Sequence, residues 1–582
     1  MEPSIHLPKV LKVEVMVEIK KEETSVDDIT IYVVPHSHLD LSWGGSYHLC
    51  SMASADAMLS LIKCLESDSN YKLTIEHVSA IKEFAEIIDE SLTKKLLKFM
   101  KNGRVDVSGL YHGTEENLPG PENLARQFLL GKKWLKKKWG IDTEIAWSLD
   151  TPGHTLQMPQ LLKKSGISLF VVSGGSYGPR FFRWISPDGS EVLVYTMGGY
   201  TWSYILGLRA GIEQMEKRLL MWLNKLKDLF NTKSVLLDDG ADWSRSSLVT
   251  LDNIRKWNSK GNKPHLKLAT TTEFYKAIRA EIGKAPLLRG EMPTSWVYTP
   301  THYPKAVIWN RKAEYSLRAA EAMETVRMKL YRVPEMYPSS KLENGWEWVC
   351  KTVEHNWGGV DGVLVGKERE QMNKMAYYLG KDILRSAIEH IATLIKPRGE
   401  EVPIHVFNPM GFNSYGYVEE TIDLGRFKEL EGEGLLVDSN GHSVPFDVIE
   451  NLENEDGTLR GFKIGFIAKN VPSYGYKTYY FEGNKSEKNE PASTLRTSKR
   501  SIENEYYRVT IENSKVTEIF DKAEGRNIVK DNFLEMVCLE DRAVDLIDNV
   551  KGVLGKESKE KLVKTEKNRT RSKIIIKSHI MD

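Results

Sequence analysis

The stretch ITIYVVPHSHLD, residues 29–40, decides how the first half of this chain is interpreted. Its beginning is apolar and rich in β-branched side chains, which predicts a strand over Ile29–Val34. Two histidines and an aspartate follow at alternate positions. Since alternate side chains of an extended segment lie on one face, His36, His38 and Asp40 are expected to point the same way. Imidazole and carboxylate groups are ligands that zinc accepts, so this segment predicts a candidate metal site.

Strand and helix patterns alternate on the C-terminal side of this stretch, up to about residue 285. Such alternation predicts βαβ units and a largely parallel sheet, either open or closed into a barrel. For the first helix we expect Ser54 as the N-cap. Further strands are predicted at Thr143–Leu149, Ser168–Val172, Glu191–Thr196 and Ser234–Leu237, and helices at Ser54–Leu65, Ser91–Met100 and Asn123–Lys138.

The pattern changes twice after residue 300. Arg311–Lys329 and Lys367–Ile395 have helical periodicity, and the second segment carries an apolar stripe that includes Met372, Met375 and Leu379. From residue 402 onward, short β-rich runs alternate with Gly and Asn. The chain is therefore expected to contain an α/β region, a helical region and a β region, in that order.

Composition excludes several classes of protein. The 582 residues are 41% hydrophobic and 28% charged, which is typical of globular proteins. The 81 basic and 80 acidic residues give a net charge of +1, so we expect no nucleic-acid partner. No apolar run approaches the length of a spanning helix, and the four cysteines form no CxxC pair. These features predict a cytoplasmic protein with reduced thiols and no membrane association.

Three other segments place chemically active side chains where strands or helices end. Asp150 follows a predicted strand, although it is alternatively the N-cap of a helix beginning near Leu156. Asp238, Asp239 and Asp242 follow another strand, and turn geometry accounts for one or two of them. His355 comes from the helical region, where a single His beside Gly-Gly is weak support for a ligand.

These segments say more together than apart. The carboxyl ends of parallel strands meet at one edge of a sheet, so their side chains are expected to converge. Two carboxylates, a metal and exposed Trp side chains favour hydrolysis of a polar, ring-shaped substrate, because aromatic faces stack on sugars and paired carboxylates cleave glycosidic bonds.

The sequence resembles glycoside hydrolase family 38, the zinc-dependent α-mannosidases. The number and order of the matching segments carry the resemblance. They are Val34-Pro35-His36-Ser37-His38-Leu39-Asp40 with Trp43, Glu122 with Arg126-Gln127, Trp147-Ser148-Leu149-Asp150 with Gly153-His154, Phe182-Arg183-Trp184, Pro187-Asp188-Gly189, Asn310-Arg311 with Glu314, His355, Val406-Phe407-Asn408-Pro409 and Ile502-Glu503-Asn504-Glu505-Tyr506-Tyr507.

The resemblance implies a multidomain fold of the α/β, then α, then β type. We expect a βα-barrel catalytic domain over residues 29–300, a three-helix bundle over 305–398 and a C-terminal β-sandwich, incomplete, over 402–582. It also implies a retaining exo-α-mannosidase that acts on mannose-containing oligosaccharides. Members of the family usually continue far beyond the point where this sequence stops. We therefore expect a homo-oligomer or a second chain that supplies further β-domains.

The resemblance also implies roles for individual residues. Zinc, one per chain and replaceable by another divalent metal such as cobalt, is expected on His38, Asp40, Asp150 and His355. Asp150 is also expected to be the nucleophile and Asp242 the general acid/base.

Other residues are expected to contact the sugar or support the site. Trp43 is expected to stack under the bound mannose, and Asn356, where the family usually has Asp, to contact a sugar hydroxyl. His36 and His154 are expected to support the site without binding the metal.

A further departure from the family and two other functions stand beside this hypothesis. Pro152 replaces an aromatic residue of many family members, so part of a sugar platform is missing. A metal-dependent carbohydrate deacetylase also uses His and Asp at strand ends, but it would form no covalent intermediate. An inactive sugar-binding or assembly subunit would explain a short C-terminus, although the complete set of expected ligands and Asp242 argue against it.

Overall fold

The computed structural model describes residues 25–173, 180–226, 230–293, 299–396, 398–399, 401–423, 434–483, 495–512, 515–529, 537–541, 550–556, 558–567 and 572–579. The chain divides into two compact units. The first contains residues 1–317 and 340–379, and the second contains residues 318–339 and 380–582. Mixed helix and strand content in both units makes this a multidomain α/β protein.

The first unit alternates strands and helices as the sequence predicts. Its strands are β1 (Thr30–Pro35), β2 (Leu73–Ile75), β3 (Val105–Val107), β4 (Ile145–Ser148), β5 (Gly153–His154), β6 (Leu169–Val172), β7 (Phe181–Ile185), β8 (Glu191–Thr196), β9 (Ser234–Asp239), β10 (His265–Leu268), β11 (Leu287–Arg289) and β12 (Met292–Pro293). Its helices are α1 (Tyr47–Ser67), α2 (Val78–Ile87), α3 (Glu90–Lys101), α4 (Pro121–Trp139), α5 (Met158–Lys164), α6 (Trp202–Leu206), α7 (Ile212–Leu226), α8 (Val249–Ser259) and α9 (Thr271–Ile278).

Most of the strand pairs in this unit are parallel. Strand β1 lies between β10 and β9, with Val33 opposite Leu268 on one side and Leu237 on the other. Strands β4, β6 and β8 form a second parallel ladder, to which β7 adds as an antiparallel neighbour of β8. Strands β2 and β3 pair in parallel as well. Parallel ladders have covered faces, which explains why β1, β4 and β6 consist largely of buried residues.

The first predicted helix begins earlier than expected. Helix α1 starts at Tyr47, and the Oγ atom of Ser46 accepts a hydrogen bond from the Leu49 amide, 3.3 Å away. Ser54 is buried inside the helix, so its prediction as the N-cap is wrong. The apolar periodicity marks only the later turns of α1, because the first turn exposes polar residues and Leu49.

The helical region consists of α10 (Pro304–Tyr331), α11 (Ser339–Lys351) and α12 (Gly362–Ala392). The predicted stripe on α12 is only partly buried, since Met375 is exposed. The buried face of this helix instead contains Asn373, Ala376 and Ala387. Large apolar residues, Val365 and Ile391, are buried on this helix as well, and Leu384 of the predicted stripe packs against the core. The stripe therefore marks the buried side only approximately.

The second unit is β-rich. Its strands are β13 (Val402–Asn408), β14 (Ser414–Asp423), β15 (Gly434–Asp438), β16 (Phe446–Glu453), β17 (Leu459–Val471), β18 (Gly475–Gly483), β19 (Arg496–Thr497), β20 (Ser501–Glu503), β21 (Tyr507–Glu512), β22 (Lys515–Asp521), β23 (Arg526–Asn527), β24 (Val537–Asp541), β25 (Val550–Lys556), β26 (Ser558–Lys567) and β27 (Ser572–His579). Two three-stranded antiparallel sheets, β13-β18-β15 and β14-β17-β16, share one core. Phe462 packs edge-on against Phe481 across that core, with ring centroids 5.3 Å apart.

None of the helices in the described part of the chain combines the length and the apolar character that a membrane crossing requires.

Candidate active site

The HxHxD segment is held in place by the strand next to it. Beyond the end of β1, the His36 amide donates to the Asp239 carbonyl (3.2 Å) and the His38 amide donates to the Ala241 carbonyl (3.1 Å). The Trp243 amide then donates to the His38 carbonyl (2.9 Å). The parallel pairing of β1 with β9 therefore continues into both strand ends and brings two of the predicted segments side by side.

The third segment reaches the same place from the helical region. The His355 amide donates to the Gly113 carbonyl (3.3 Å), and Thr114 forms an isolated antiparallel bridge with Glu354. Nδ1 of His355 lies 3.4 Å from the Gly113 carbonyl oxygen. A ring N–H that donates to this carbonyl leaves Nε2 as the nitrogen that faces the candidate metal site.

His38, Asp40 and His355 form a compact donor set. Their donor atoms lie within 4.8 Å of one another, and all three residues are buried. Nε2 of His38 lies 3.1 Å from Oδ1 of Asp40, and Nε2 of His355 lies 3.4 Å from the same oxygen. The Nε2 atom of His38 is buried without a hydrogen-bond partner in the described residues. Two imidazole nitrogens and a carboxylate oxygen that face one another fit a divalent cation such as zinc.

The charges of this set fit a cation as well. Although burial lowers it, the carboxylates of Asp40 and Glu76 raise the pKa of His38 well above its ordinary value. Burial opposes ionisation of Asp40, yet the neighbouring His38 holds its pKa below the ordinary range. The surroundings thus favour positive charge at a buried point between these side chains.

Asp150 lies beside this set, with Oδ2 3.9 Å from Nε2 of His355. It follows β4 with a left-handed backbone (φ 53°), and its amide donates to the Ser173 hydroxyl (2.8 Å). The alternative that Asp150 caps the next helix is wrong, because α5 begins at Met158. A non-glycine residue in this strained conformation is typical of functional sites. The side chain remains 35% exposed, so it is accessible from solvent.

Asp242 occupies the open side of the same site. It pairs with His38 in an isolated parallel bridge, and its side chain is exposed. Partial burial raises the pKa of Asp242, and the carboxylates of Asp40 and Asp150 add to that effect, whereas His38 opposes it. A carboxyl group with a raised pKa beside a second carboxyl is the arrangement that acid catalysis needs.

The other two acids of that strand end have different surroundings. Oδ2 of Asp238 lies 3.5 Å from Nε2 of His36, and Oδ1 of Asp239 accepts a hydrogen bond from Arg209 (2.7 Å). Both carboxylates are fully buried. Of the three, only Asp242 is open to solvent.

Tyr200 lies beside the two accessible carboxyls. Its ring lies 4.8 Å from the His38 ring, and its hydroxyl lies near the carboxyls of both Asp150 and Asp242. Burial raises the pKa of Tyr200 far above its usual value, and the two carboxylates raise it further. Tyr200 is therefore neutral and can act as a hydrogen-bond donor to a nearby carboxylate.

Trp43 and Asn356, the two predicted sugar contacts, lie at the border of the site. Trp43 is half-buried, and its carbonyl accepts a hydrogen bond from the Val360 amide (3.0 Å). The Asn356 amide nitrogen donates to Oδ1 of Asp40 (2.5 Å) and to Oε1 of Glu354 (2.8 Å). Because both of its N–H groups face carboxylates, only its carbonyl oxygen remains for a ligand.

A second buried group, formed by His112, Glu354 and His355, also has donor atoms within 4.8 Å of one another. Its carboxylate is already occupied, however. Oε1 of Glu354 accepts from the Leu41 amide and from Asn356, and Oε2 accepts from Ser42 and from Arg369, 2.5 Å away. Four donors fill the acceptor sites of this carboxylate, which makes Glu354 a structural anchor for the segment around His355.

Two residues of the site were missed from the sequence. Glu76 lies at the carboxyl end of β2, and Tyr200 follows β8 after Gly198-Gly199. The strand-end rule, that functional side chains follow the carboxyl ends of parallel strands, identified His38 and Asp150 and applies to both of these residues as well. Strand β2 is only three residues long, too short for its periodicity to be recognised. His154, expected to support the site, donates from Nδ1 to Oε1 of Glu116 (2.7 Å).

The first unit thus belongs to the class of α/β domains that carry a buried His and Asp donor set and two accessible carboxyls at the ends of their strands. Within that class, residues 28–298 match the sequence family described as Glycosyl hydrolases family 38 N-terminal domain.

Curated relatives point in the same direction. The chain is 24% identical over 384 residues to "Alpha-mannosidase" of Saccharomyces cerevisiae, a match that covers 63% of this chain and 34% of that protein. It is 23% identical over 337 residues to "Alpha-mannosidase 2C1" of Mus musculus, covering 56% and 32% of the two chains. The chain thus spans about a third of the length of these relatives.

The fold is similar to that of a crystallised alpha-mannosidase from Enterococcus faecalis. The TM-score is 0.71 at 16% identity, and the alignment covers 86% of this chain and 61% of the other.

Proposed function

We propose that this protein is a glycoside hydrolase of family 38 that acts as a retaining exo-α-mannosidase. The observation that carries the proposal is the convergence of His38, Asp40 and His355 with two accessible carboxyls, Asp150 and Asp242. The family match over residues 28–298 and the mannosidase relatives support the same reaction.

Zinc is the proposed metal, one ion per chain, with cobalt as an alternative. His38, Asp40, Asp150 and His355 would hold it, a set of two nitrogen and two oxygen donors. A metal held there would supply a Lewis acid that binds sugar hydroxyls and stabilises charge in the transition state. Nε2 of His38 is buried and faces Oδ1 of Asp40 at 3.1 Å, yet it makes no hydrogen bond of normal geometry within the part of the chain that the structure describes, which favours a ligand at this position.

Asp150 is the proposed nucleophile. Its carboxylate attacks the anomeric carbon of the terminal mannose, so that a bond forms between that carbon and the carboxylate oxygen as the glycosidic bond breaks. The left-handed backbone at Asp150 and the hydrogen bond to Ser173 fix the carboxylate at the edge of the site, where a sugar can reach it.

Asp242 is the proposed general acid and base. It donates its proton to the departing glycosidic oxygen, and then accepts a proton from the water that hydrolyses the mannosyl ester of Asp150. Its exposed position leaves room for both the leaving group and the water. Tyr200, whose neutral hydroxyl lies near both carboxyls, is available to donate a hydrogen bond to one of them in each step.

The remaining predictions become proposals of the same kind. Trp43 would stack on the apolar face of the mannose, and the carbonyl oxygen of Asn356 would accept a sugar hydroxyl. The parallel ladders of the first unit are interpreted as a βα-barrel and helices α10–α12 as a bundle. A cytoplasmic location is supported by the free, buried thiols of Cys50, Cys64 and Cys350.

One assay tests the proposal directly. The purified chain is incubated with an aryl α-mannoside, with and without added zinc, and the matching β-mannoside serves as the control. We expect turnover of the α-anomer only, with retention of configuration when the product is followed by NMR before mutarotation. Hydrolysis that leaves the glycosidic bond intact, as in removal of an acetyl group, or inverted product would contradict it.

A further inference from the structure

Glu76 occupies a position that neither the sequence motifs nor the proposed mechanism explains. It follows β2, is 2% exposed, and its carboxylate lies between the two histidines of the HxH segment. Oε1 bonds to Nδ1 of His36, and Oε2 bonds to Nδ1 of His38 at 2.8 Å. One side chain therefore contacts the corresponding nitrogen of both rings.

This geometry determines which nitrogens carry protons. An ionised carboxylate only accepts hydrogen bonds, so both Nδ1 atoms must donate. An imidazole protonated at Nδ1 alone keeps its lone pair on Nε2. In His38, Nε2 is the atom that lies 3.1 Å from Asp40 within the candidate metal set. The contact with Glu76 thus keeps a proton on Nδ1 of His38 and leaves Nε2 as the nitrogen that a metal, in place of a proton, would bind.

The second histidine anchors Glu76 to the sheet. Nε2 of His36 lies 3.5 Å from Oδ2 of Asp238, and that oxygen also accepts a hydrogen bond from the Trp202 amide (3.2 Å). A Cβ atom at Gly240 would lie 2.4 Å from the His36 ring, so the ring is packed tightly against the loop after β9. Glu76 cannot shift without disturbing His36.

We propose that Glu76 is a positioning residue, which fixes the orientation and the tautomer of His38 and so increases the affinity of the site for a divalent metal. His36 contributes as the anchor for Glu76 rather than as a ligand. The inference rests on the metal site of the proposed function. Partners of this kind typically change metal affinity by about 10- to 100-fold.

The test is the zinc affinity of Glu76→Gln in the full chain, measured by competition with a chromophoric chelator at neutral pH. A glutamine amide has one acceptor oxygen, so it can satisfy one imidazole N–H while its NH₂ group opposes the other. We expect zinc to bind about 10- to 100-fold more weakly than to the unaltered chain. We also expect a change in the visible absorption of the cobalt-loaded protein, which reports on ligand geometry and which a general loss of stability would not alter.

Glu314→Gln is the matched control. Glu314 is equally buried and accepts hydrogen bonds from the Gly120 and Asn123 amides (2.9 and 3.3 Å), but it belongs to α10 and contacts none of the candidate ligands. Its variant should bind zinc like the unaltered chain, even if its melting temperature falls. Glu76→Asp keeps the charge but is one methylene shorter, so it should fall between Glu76→Gln and the unaltered chain.

The outcomes separate the inference from the proposed function. If the unaltered chain binds zinc and a folded Glu76 variant binds it equally well with the same cobalt spectrum, the role of Glu76 is refuted while the proposed function stands. If the unaltered chain binds no zinc, both are refuted. Loss of folding in both Glu76 variants would also refute the inference, because Glu76 would then determine folding instead of metal affinity.

Discussion

His38 and Asp242 are partners in a parallel β-bridge, so a candidate metal ligand and the candidate proton donor are joined through their backbones. The His38 amide donates to the Ala241 carbonyl at 3.1 Å, and the Trp243 amide donates to the His38 carbonyl at 2.9 Å. Neither hydrogen bond involves the Asp242 side chain. Removing that side chain should therefore leave the donor set in place and affect proton transfer alone.

Asp242→Ala should distinguish substrates by their leaving groups. Substrates with a good leaving group, such as dinitrophenyl α-mannoside, need no proton in the first step, so that step should be nearly unaffected. Ordinary mannosyl disaccharides should be hydrolysed about 10²- to 10⁴-fold more slowly. The measurement is kcat/KM for both substrates. Equal losses on both would show that Asp242 is not the acid, which would return attention to Asp238 and Asp239 despite their burial.

Asp150 should become covalently labelled during turnover. A 2-deoxy-2-fluoro α-mannoside with a good leaving group should form an ester that hydrolyses slowly, and peptide mapping by mass spectrometry should locate it on Asp150. Asp150→Ala should abolish both labelling and turnover, because it removes the attacking oxygen. A label on another residue, or turnover without any label, would contradict the assignment of the nucleophile.

Metal content should depend on the two histidines of the donor set. We expect about one divalent ion per chain, lost in both His38→Ala and His355→Ala, since each change leaves too few donors for a tetrahedral site. His390→Ala is the control, because this exposed histidine on α12 bonds to the Ser386 carbonyl (2.7 Å). Elemental analysis decides the question, and an active wild-type protein without bound metal would contradict the proposed site.

The strand-end rule explains how much of the site could be predicted. His38, Asp40, Asp150 and Asp242 follow strands whose carboxyl ends meet, so one rule applied to separate segments brings them together. His355 follows no strand. Its position depends on a short pairing of Thr114 with Glu354, which no local pattern in the sequence reveals.

Other features required knowledge of tertiary contacts. The sequence places three acids near one strand end, but only the structure separates the two that are buried against His36 and Arg209 from the exposed Asp242. The role proposed for Glu76 depends on its contacts with His36 and His38, which follow a different strand and lie far away in the sequence. On α12, the apolar stripe does not predict that Asn373, Ala376 and Ala387 are buried beside Val365 and Ile391, because small and amide side chains carry little hydrophobic signal.

Gly359 lies against Trp43, so a side chain at this position should affect both the stability of the protein and the binding of the sugar. It has a positive φ (73°), and a Cβ atom there would lie 2.5 Å from the Trp43 carbonyl oxygen and 2.8 Å from its ring. Gly359→Ala should lower the melting temperature and raise KM for an aryl α-mannoside, as Trp43 is pushed aside. Gly358 also has a positive φ (104°) but has no atoms within 4 Å of a Cβ position. Gly358→Ala should therefore lower stability without changing KM. Equal KM values for the two variants would show that Trp43 does not take part in sugar binding.

Glu115 should make the stability of the protein depend on pH. It follows β3, and its Oε2 atom is buried without a hydrogen-bond partner in the described residues. Burial, together with the neighbouring Glu116 carboxylate, raises the pKa of Glu115 to about 8. In the unfolded chain the pKa of a glutamate is about 4.3.

Between these two values the folded state binds a proton that the unfolded state does not. The free energy of unfolding therefore decreases as pH rises through this window, by on the order of 1.4 kcal/mol for each unit of pKa difference.

A Glu115→Gln variant tests this dependence. The glutamine is uncharged in both the folded and the unfolded state, so the substitution should remove the pH dependence that Glu115 causes. The difference in melting temperature between the variant and the unaltered chain should thus grow in favour of the variant from pH 5 to pH 8. Glu213→Gln, a change at an exposed position on α7, is the control and should show no such trend. A constant difference for Glu115→Gln across the window would mean that this carboxyl is ionised in the folded protein.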